Sequence, residues 1–152
     1  DAMRTNKVAY TDVVIKDTRI TLDQVEGRTV DLELVIRPED KTNVYEKFEL
    51  RFAENEKYHS ALSFRPHESV LKIDRKFSGS ERAVIHQRRC QVNKDSNELK
   101  LRVVLDRYSA EVFINDGEQV MSAVILTDQD AKGISFFADG AAKIDLVKYD
   151  LV

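Results

Sequence analysis

The sequence predicts an all-β fold: one antiparallel two-sheet β-sandwich of the jelly-roll or lectin-like type, with little or no helix. Apolar residues alternate with polar ones in run after run, which is the period of a strand with one buried face. No window of a dozen residues repeats apolar positions at helical spacing between a cap and a glycine. The 152 residues fit one domain, and the 42% that are hydrophobic suffice for a core.

About ten strands are expected, at the spacing of a sandwich or barrel. Residues 1–29 are a less regular lead-in that contains the first strands, and the sandwich proper covers residues 30–151, so we expect one domain over residues 1–152. The predicted strands cover residues 30–36, 48–52, 58–64, 71–73, 99–105, 110–114, 120–126, 133–138 and 143–151.

Turn residues separate these runs. Asn115-Asp116-Gly117 lies between two alternating runs and predicts a hairpin, because Asp-Gly tolerates the positive φ of a tight turn. Asp139-Gly140 repeats this arrangement and predicts a second hairpin. Ser78-Gly79-Ser80 predicts a further turn.

Composition excludes several classes of protein. The net charge of −3, with basic residues dispersed, argues against nucleic-acid binding. The longest aliphatic run, residues 123–126, falls far short of the ~20 residues that span a bilayer. No leader is visible and the chain starts at Asp1, so we expect a piece cut from a longer protein. The compartment stays open, with the cytoplasm favoured and secretion as the alternative.

Motifs for catalysis, metals and cofactors are missing from the sequence. There is no nucleophile elbow, dinucleotide-binding motif or phosphate-binding loop. His59, His67 and His86 lie on separate runs without metal-ligand spacing, so no metal site and no cofactor are expected. Cys90 is the only cysteine and is expected to be a half-buried strand residue.

Acidic and aromatic residues leave two possibilities open. A glycosidase pair needs carboxyl groups ~5–5.5 Å apart in a retaining enzyme, and sequence cannot supply distances for the acids of the C-terminal third. These acids are Asp106, Glu111, Asp116, Asp128 and Asp130. A sugar-binding surface would need exposed aromatic rings. The chain has no Trp, and the residues that could reach the surface and stack on a sugar are Tyr45, Tyr58 and Tyr108.

The segment from Leu99 to Gly117 is the most informative stretch of the chain. It resembles the signature region of the C-terminal β-sandwich of glycoside hydrolase family 32, the invertase, levanase and sucrose-6-phosphate hydrolase group. The likeness covers roughly residues 30–151, and Tyr108 and Ala110 depart from the family's usual residues. The residues that form this signature, which we interpret as structural, are Asp106, Arg107, Glu111, Phe113, Asn115, Asp116 and Gly117.

The resemblance implies that the chain itself has no catalytic residue. Enzymes of this family place catalysis in an N-terminal five-bladed β-propeller, with Asn-Asp-Pro-Asn, Arg-Asp-Pro and Glu-Cys motifs. Here Asn115-Asp116 is followed by Gly117 instead of proline, and Cys90 follows Arg89 instead of Glu. We therefore carry over no catalytic residue from the family.

Three hypotheses follow from the sequence. The leading one is a non-catalytic C-terminal module whose partner is a β-propeller of the same polypeptide. That propeller would hydrolyse sucrose, sucrose 6-phosphate or fructan with retention. The module would stabilise it, and a homodimer is a further expected assembly. The alternatives are a fructan-binding module and a free-standing lectin-like or structural sandwich.

Overall fold

The computed structural model describes residues 4–75, 87–92, 98–125 and 130–151. Within these ranges the fold is all-β without a helix, which confirms the prediction of a two-sheet antiparallel sandwich. The strands are β1 (Arg4–Lys16), β2 (Arg19–Ile20), β3 (Val30–Pro38), β4 (Lys47–Glu54), β5 (Ser60–Arg65), β6 (Val70–Asp74), β7 (Gln87–Gln91), β8 (Leu99–Leu105), β9 (Ser109–Ile114), β10 (Gln119–Val124), β11 (Gly133–Asp139) and β12 (Ala141–Leu151).

The strands form two six-stranded sheets. Sheet A has the order β1-β12-β3-β8-β9-β10, and sheet B has the order β2-β11-β4-β5-β6-β7. Every neighbouring pair is antiparallel. Strands β11 and β12 follow each other in the chain but belong to different sheets, so the chain crosses the sandwich between them.

The core lies between the two sheets. On β3 the alternate residues Val30, Leu32, Leu34 and Ile36 are buried, as the period of two predicts. Sheet B contributes large aromatic side chains to the same core. The rings of Phe48 and Phe136, for example, pack with their centroids 6.4 Å apart. Burial of these inward faces is the main driving force for the fold.

Strand β1 is a 13-residue strand in the lead-in where the alternation is irregular. Its register against β12 shifts between Thr5 and Val8 and again between Tyr10 and Val13. Asn6 and Asp12 lie within these shifts with φ of 53° and 54°. Each bulge moves the following side chains out of phase, which explains why the sequence shows no clean period of two.

The two expected hairpins have different outcomes. The turn at Asn115–Gly117 joins β9 to β10, all three residues have positive φ, and the Gly117 N–H donates to the carbonyl of Ile114 at 3.2 Å, so this prediction is confirmed. The prediction of a hairpin at Asp139-Gly140 is wrong, because β11 and β12 lie in different sheets. Gly140 has φ +93° but redirects the chain between sheets instead of pairing two strands. The turn expected at residues 78–80 lies outside the described residues.

Candidate interaction surface on sheet A

A groove of about 620 Å³ crosses the outer face of sheet A. Half-buried side chains of Val35 on β3 and Val147 on β12 line it, because these residues alternate with core residues and point away from sheet B. Ala9 of β1 lines one side and Phe113 of β9 the other. The groove therefore combines residues from strands that are far apart in the sequence but adjacent in the sheet.

The β9–β10 turn forms part of the groove's rim. Asn115 fixes the turn against β8: its N–H donates to the carbonyl of Lys100 at 2.9 Å, and its Oδ1 accepts from the Lys100 N–H at 3.2 Å. This docking brings Asp116 and Gly117 to the groove. The Nζ of Lys100 then lies 3.9 Å from the carboxylate of Asp116.

A cluster of charges lies on the same face, centred on Asp31. The side chain of Asp31 is 1% exposed, and Nη2 atoms of Arg4 and Arg102 lie 2.7 and 2.8 Å from its Oδ2. The Arg4 guanidinium also lies 4.5 Å from the ring centroid of Tyr149, and that of Arg102 5.8 Å from the ring centroid of Phe113. The two arginines thus tie β1 and β8 to β3, the strand that carries Asp31.

The pKa of Asp31 is set by two opposing effects. Burial alone would raise it, but hydrogen bonds and charge from Arg102 and Arg4 outweigh burial, and the pKa lies below its ordinary value. Asp145 of β12 behaves similarly, because the hydrogen bond from Arg37 holds its pKa low. Both carboxylates are therefore ionised and paired with arginine at neutral pH.

Five of the described carboxyl groups have a pKa below the ordinary value, which favours the ionised form. A glycosidase acid needs a raised pKa so that it keeps its proton near neutral pH. None of these five described groups therefore has the raised pKa of such an acid. They are Asp31, Asp40, Glu49, Asp145 and Asp150.

The predicted signature residues lie on β9 and in the turns at its two ends. Asp106 and Arg107 are in the β8–β9 turn, where the Asp106 carboxylate accepts from the Arg107 N–H and the Arg107 carbonyl accepts from Arg28 Nη2 at 2.6 Å. Glu111 and Phe113 point outward on β9, and the turn from Asn115 to Gly117 follows. Of these residues, the structure brings Phe113, Asp116 and Gly117 together at the groove.

The three tyrosines considered for sugar contact have different environments. Tyr45 is 2% exposed and belongs to the core, so the expectation that it reaches the surface is wrong. The Gly140 turn lies close to the Cα and Cβ atoms of Tyr45. Tyr58 is exposed in the β4–β5 turn, and Tyr108 is 65% exposed in the β8–β9 turn. Neither lines the groove.

The remaining predicted positions carry little chemistry. Within residues 4–75, 87–92, 98–125 and 130–151, no three His, Cys, Asp or Glu side chains come together as metal ligands. His86 and Asp128 lie outside the described residues. Cys90 is half-buried on β7, as predicted. No helix in the described part of the chain could cross a membrane.

The sequence did not point to the groove or to the Asp31 cluster. One signal was available for the cluster: Asp31 and Arg102 both occupy outward positions on strongly apolar strands, β3 and β8. A carboxylate within a buried strand usually has a basic partner. For the groove no comparable signal exists, since its residues are brought together only by the strand order.

The fold and this surface define a class of protein. It is a two-sheet β-sandwich module with a groove and arginine–carboxylate ion pairs on the outer face of one sheet. Residues 1–151 match the family described as glycosyl hydrolases family 32 C terminal, so the chain belongs to this family. This confirms the resemblance seen in the sequence.

The names of similar curated proteins agree with this family assignment. The chain is 32% identical to sucrose-6-phosphate hydrolase of Staphylococcus xylosus over 152 residues, which are 99% of this chain and 30% of that protein. It is 30% identical to levanase of Bacillus sp. strain L7 over 116 residues, 73% of this chain and 12% of that protein. The chain therefore spans less than a third of the length of these relatives.

Solved structures show the same fold. An exo-inulinase from Aspergillus awamori superposes with a TM-score of 0.77 and 18% identity, covering 98% of this chain and 29% of that one. Sucrose-6-phosphate hydrolase from Lactobacillus gasseri superposes with a TM-score of 0.77 and 22% identity, covering 99% of this chain and 29% of that one. At these identities the likeness concerns the fold alone.

Proposed function

We propose that this chain is the non-catalytic C-terminal module of an enzyme that hydrolyses β-fructosides with retention. The substrate would be sucrose, sucrose 6-phosphate or a fructan, and catalysis would take place in an N-terminal β-propeller of the same polypeptide. The observation that carries the proposal is the family match over residues 1–151, in a chain that spans 30% of its sucrose-6-phosphate hydrolase relative.

The module would stabilise the catalytic domain by docking the outer face of sheet A against it. Two neighbouring strands of this face that line the groove, β3 and β12, carry the outward apolar side chains Val35 and Val147. The groove could receive a protruding side chain or loop of the partner domain. In sheet B, the outward positions on the central strands are polar or small: Lys47, Glu49, Arg51, Ala61 and Ser63.

The charges on this face support docking as well. Asp31 is paired with two arginines, and Arg37 bonds both Asp12 and Asp145. Covering a charge that already has its partner avoids the large cost of a buried unpaired ion. The apolar groove and its paired surroundings can therefore be desolvated together.

Absence of catalysis is tested by incubating the purified chain with sucrose, sucrose 6-phosphate, inulin and levan. A family 32 enzyme of known activity, assayed in parallel, is the positive control. We expect no fructose release above background from the chain alone. Release that grows with the concentration of the chain would overturn the proposal.

Docking is tested with two matched substitutions, Val147→Glu in the groove and Val70→Glu on β6. Both valines are half-buried and point outward, but on opposite sheets. The chain is mixed with the separately expressed catalytic domain of the same polypeptide, and binding is measured by calorimetry. We expect V147E to weaken binding about tenfold or more and V70E to leave it unchanged. Equal effects of the two substitutions would refute docking through sheet A.

Self-association is a further part of the proposal. A module that docks on a larger domain can also contact a second copy of itself, and the assembled enzyme would then be a homodimer. Sedimentation of the chain over a range of concentrations measures this. A sedimentation coefficient that stays at the monomer value would refute it.

Fructan binding is the alternative function, and the exposed ring of Tyr108 favours it. Aromatic side chains that are 65% exposed are unusual, and a tyrosine ring can stack on a sugar. Native gels that contain levan or inulin test this alternative, with Tyr108→Ala as the matched variant. Retardation that is lost in Y108A would support sugar binding. A chain that is not retarded at millimolar sugar would remove this alternative.

A further inference from the structure

We propose that the module self-associates through the edge of β10, which pairs antiparallel with β10 of a second copy to make one continuous twelve-stranded sheet. This inference rests on the self-association part of the proposed function and assigns its surface. The argument starts from the four sheet edges of the sandwich, because an edge strand with free N–H and C=O groups is a template for pairing with another chain.

Three of the four edges carry features that oppose pairing. Strand β1 is broken by two bulges at Asn6 and Asp12, which carry polar side chains. Strand β2 has only two residues. Strand β7 carries the charge of Arg89. Bulges, short length and charge are the usual protections of natural sheet edges.

Strand β10 has none of these protections. Its six residues, Gln119 to Val124, include no charge, no proline and no glycine. It pairs with β9 in unbroken register over all six positions. Val120 and Val124 point outward and are 54% and 51% exposed. The strand is therefore regular and uncharged, and two of its three exposed side chains are apolar.

The backbone of β10 is oriented for pairing on its open side. The N–H of Ile125 donates to the carbonyl of Tyr108 at 2.7 Å, on the β9 side. Because hydrogen-bonding direction alternates along an antiparallel strand, Val120, Ser122 and Val124 turn their N–H and C=O groups away from β9. Arg75 Nη1 donates to the Val124 carbonyl at 2.9 Å, which agrees with this direction. Within the described residues, Val120 and Ser122 have no hydrogen-bond partner on that side.

In one register, a second copy pairs with this edge so that side chains of similar character lie opposite each other on both faces of the sheet. With Ser122 opposite Ser122 of the second copy, Val120 lies opposite Val124 on the outer face, and Met121 lies opposite Ala123 on the core side. Each outward-turned residue then donates and accepts one hydrogen bond across the two-fold axis. The Val124 carbonyl has two lone pairs, so it can accept from both Arg75 and the second copy. Exposed valines meet in cross-strand pairs that stabilise sheets.

Ser122 provides the sharpest test. Ser122→Pro removes an N–H that points away from β9, so it leaves the β9–β10 ladder intact and blocks only the open edge. Ser122→Lys places two lysines opposite each other at the axis. Val14→Lys is the control, since Val14 is 49% exposed on the other edge strand of the same sheet.

The oligomeric state of the 152-residue chain is measured by analytical ultracentrifugation, with circular dichroism to verify folding. We expect a concentration-dependent dimer whose dissociation constant rises about tenfold or more in S122K and S122P and stays unchanged in V14K. If S122P does not fold, S122K decides. A dimer that survives in the folded Ser122 variants refutes pairing through β10 while leaving self-association standing. A monomer at every concentration refutes both, and the substrate assays still test the absence of catalysis.

Discussion

Replacement of Asp31 by asparagine tests the charge cluster that ties β1 and β8 to β3. Asparagine keeps the shape of the side chain and one acceptor oxygen, but it removes the charge that pairs with Arg4 and Arg102. Removal of one partner from a fully buried ion pair costs about 3–5 kcal/mol. The side chains of Arg4 and Arg102 are 18% and 42% exposed, so both can regain contact with water. We therefore expect D31N to lower the free energy of unfolding by ~2 kcal/mol.

Urea denaturation followed by circular dichroism measures this loss, and thermal unfolding checks it. For a chain of this size ~2 kcal/mol corresponds to a fall in Tm of roughly 4–8 °C. Asp145→Asn is the control, because Asp145 also pairs with an arginine but its side chain is 38% exposed. The control should cost less than about 1 kcal/mol.

The loss should also depend on pH. The pKa of Asp31 is lower in the folded chain than its ordinary value of 3.8, so the stabilisation is present above that value and is lost as the pH falls through the folded pKa. The difference in the free energy of unfolding between wild type and D31N should therefore become smaller in strongly acidic solution. If the free energy of unfolding of D31N lies within about 0.5 kcal/mol of the wild-type value at neutral pH, the cluster does not stabilise the sheet and the reasoning fails.

Four further substitutions have defined outcomes in the same denaturation assay. Gly140→Ala should cost ~2 kcal/mol or more, because φ is +93° and the new Cβ would lie 2.9 Å from the Cα of Tyr45. Gly117→Ala should cost only ~1 kcal/mol, since φ is +89° but nothing lies within 4 Å. Phe136→Ala removes a fully buried ring and should cost about 3–5 kcal/mol. Glu49→Gln should lower stability at neutral pH but not in strong acid. Burial opposes ionisation of Glu49, yet three basic neighbours hold its pKa below the ordinary value.

The inward faces of the sandwich could be predicted because burial on one face imposes a period of two. Strands β3 and β8 show this most clearly, with alternate apolar residues that the structure buries. Strand β1 escaped a clear prediction because its bulges break the period at Asn6 and Asp12. The local signal is lost wherever one extra residue shifts the phase of a strand.

Sheet membership is a different problem, because it depends on contacts that a turn does not encode. The residues Asp139-Gly140 and Asp116-Gly117 look alike in the sequence, and both glycines have positive φ. One turn closes a hairpin and the other crosses from sheet B to sheet A. Tyr45 was misjudged for a similar reason, since its burial depends on tertiary contacts in the core that its local sequence does not encode.

The outward surfaces could be predicted least, because little in their local pattern marks function. The groove brings together Ala9, Val35, Phe113 and Val147, and only the order β1-β12-β3-β8-β9 makes them neighbours. Outward residues on a strand are free of the constraint that makes core residues recognisable. The resemblance to family 32 singled out Phe113 and the Asn115–Gly117 turn as structural residues, and only the structure places Phe113, Asp116 and Gly117 at the groove.

The two surfaces proposed on sheet A must be usable at the same time, and sheet twist makes this feasible. A two-fold axis at Ser122 keeps the outer face of both copies on one side of the continuous sheet, so two docked catalytic domains would otherwise compete for space. Adjacent strands rotate by roughly 20–25°, and the centres of the two six-stranded sheets lie about six strands apart. The outer faces of the two copies would then diverge by on the order of 120° or more. Docking and pairing therefore predict a dimer in which each catalytic domain points away from the other, and Ser122 variants of the full-length enzyme should become monomeric without losing interdomain contact.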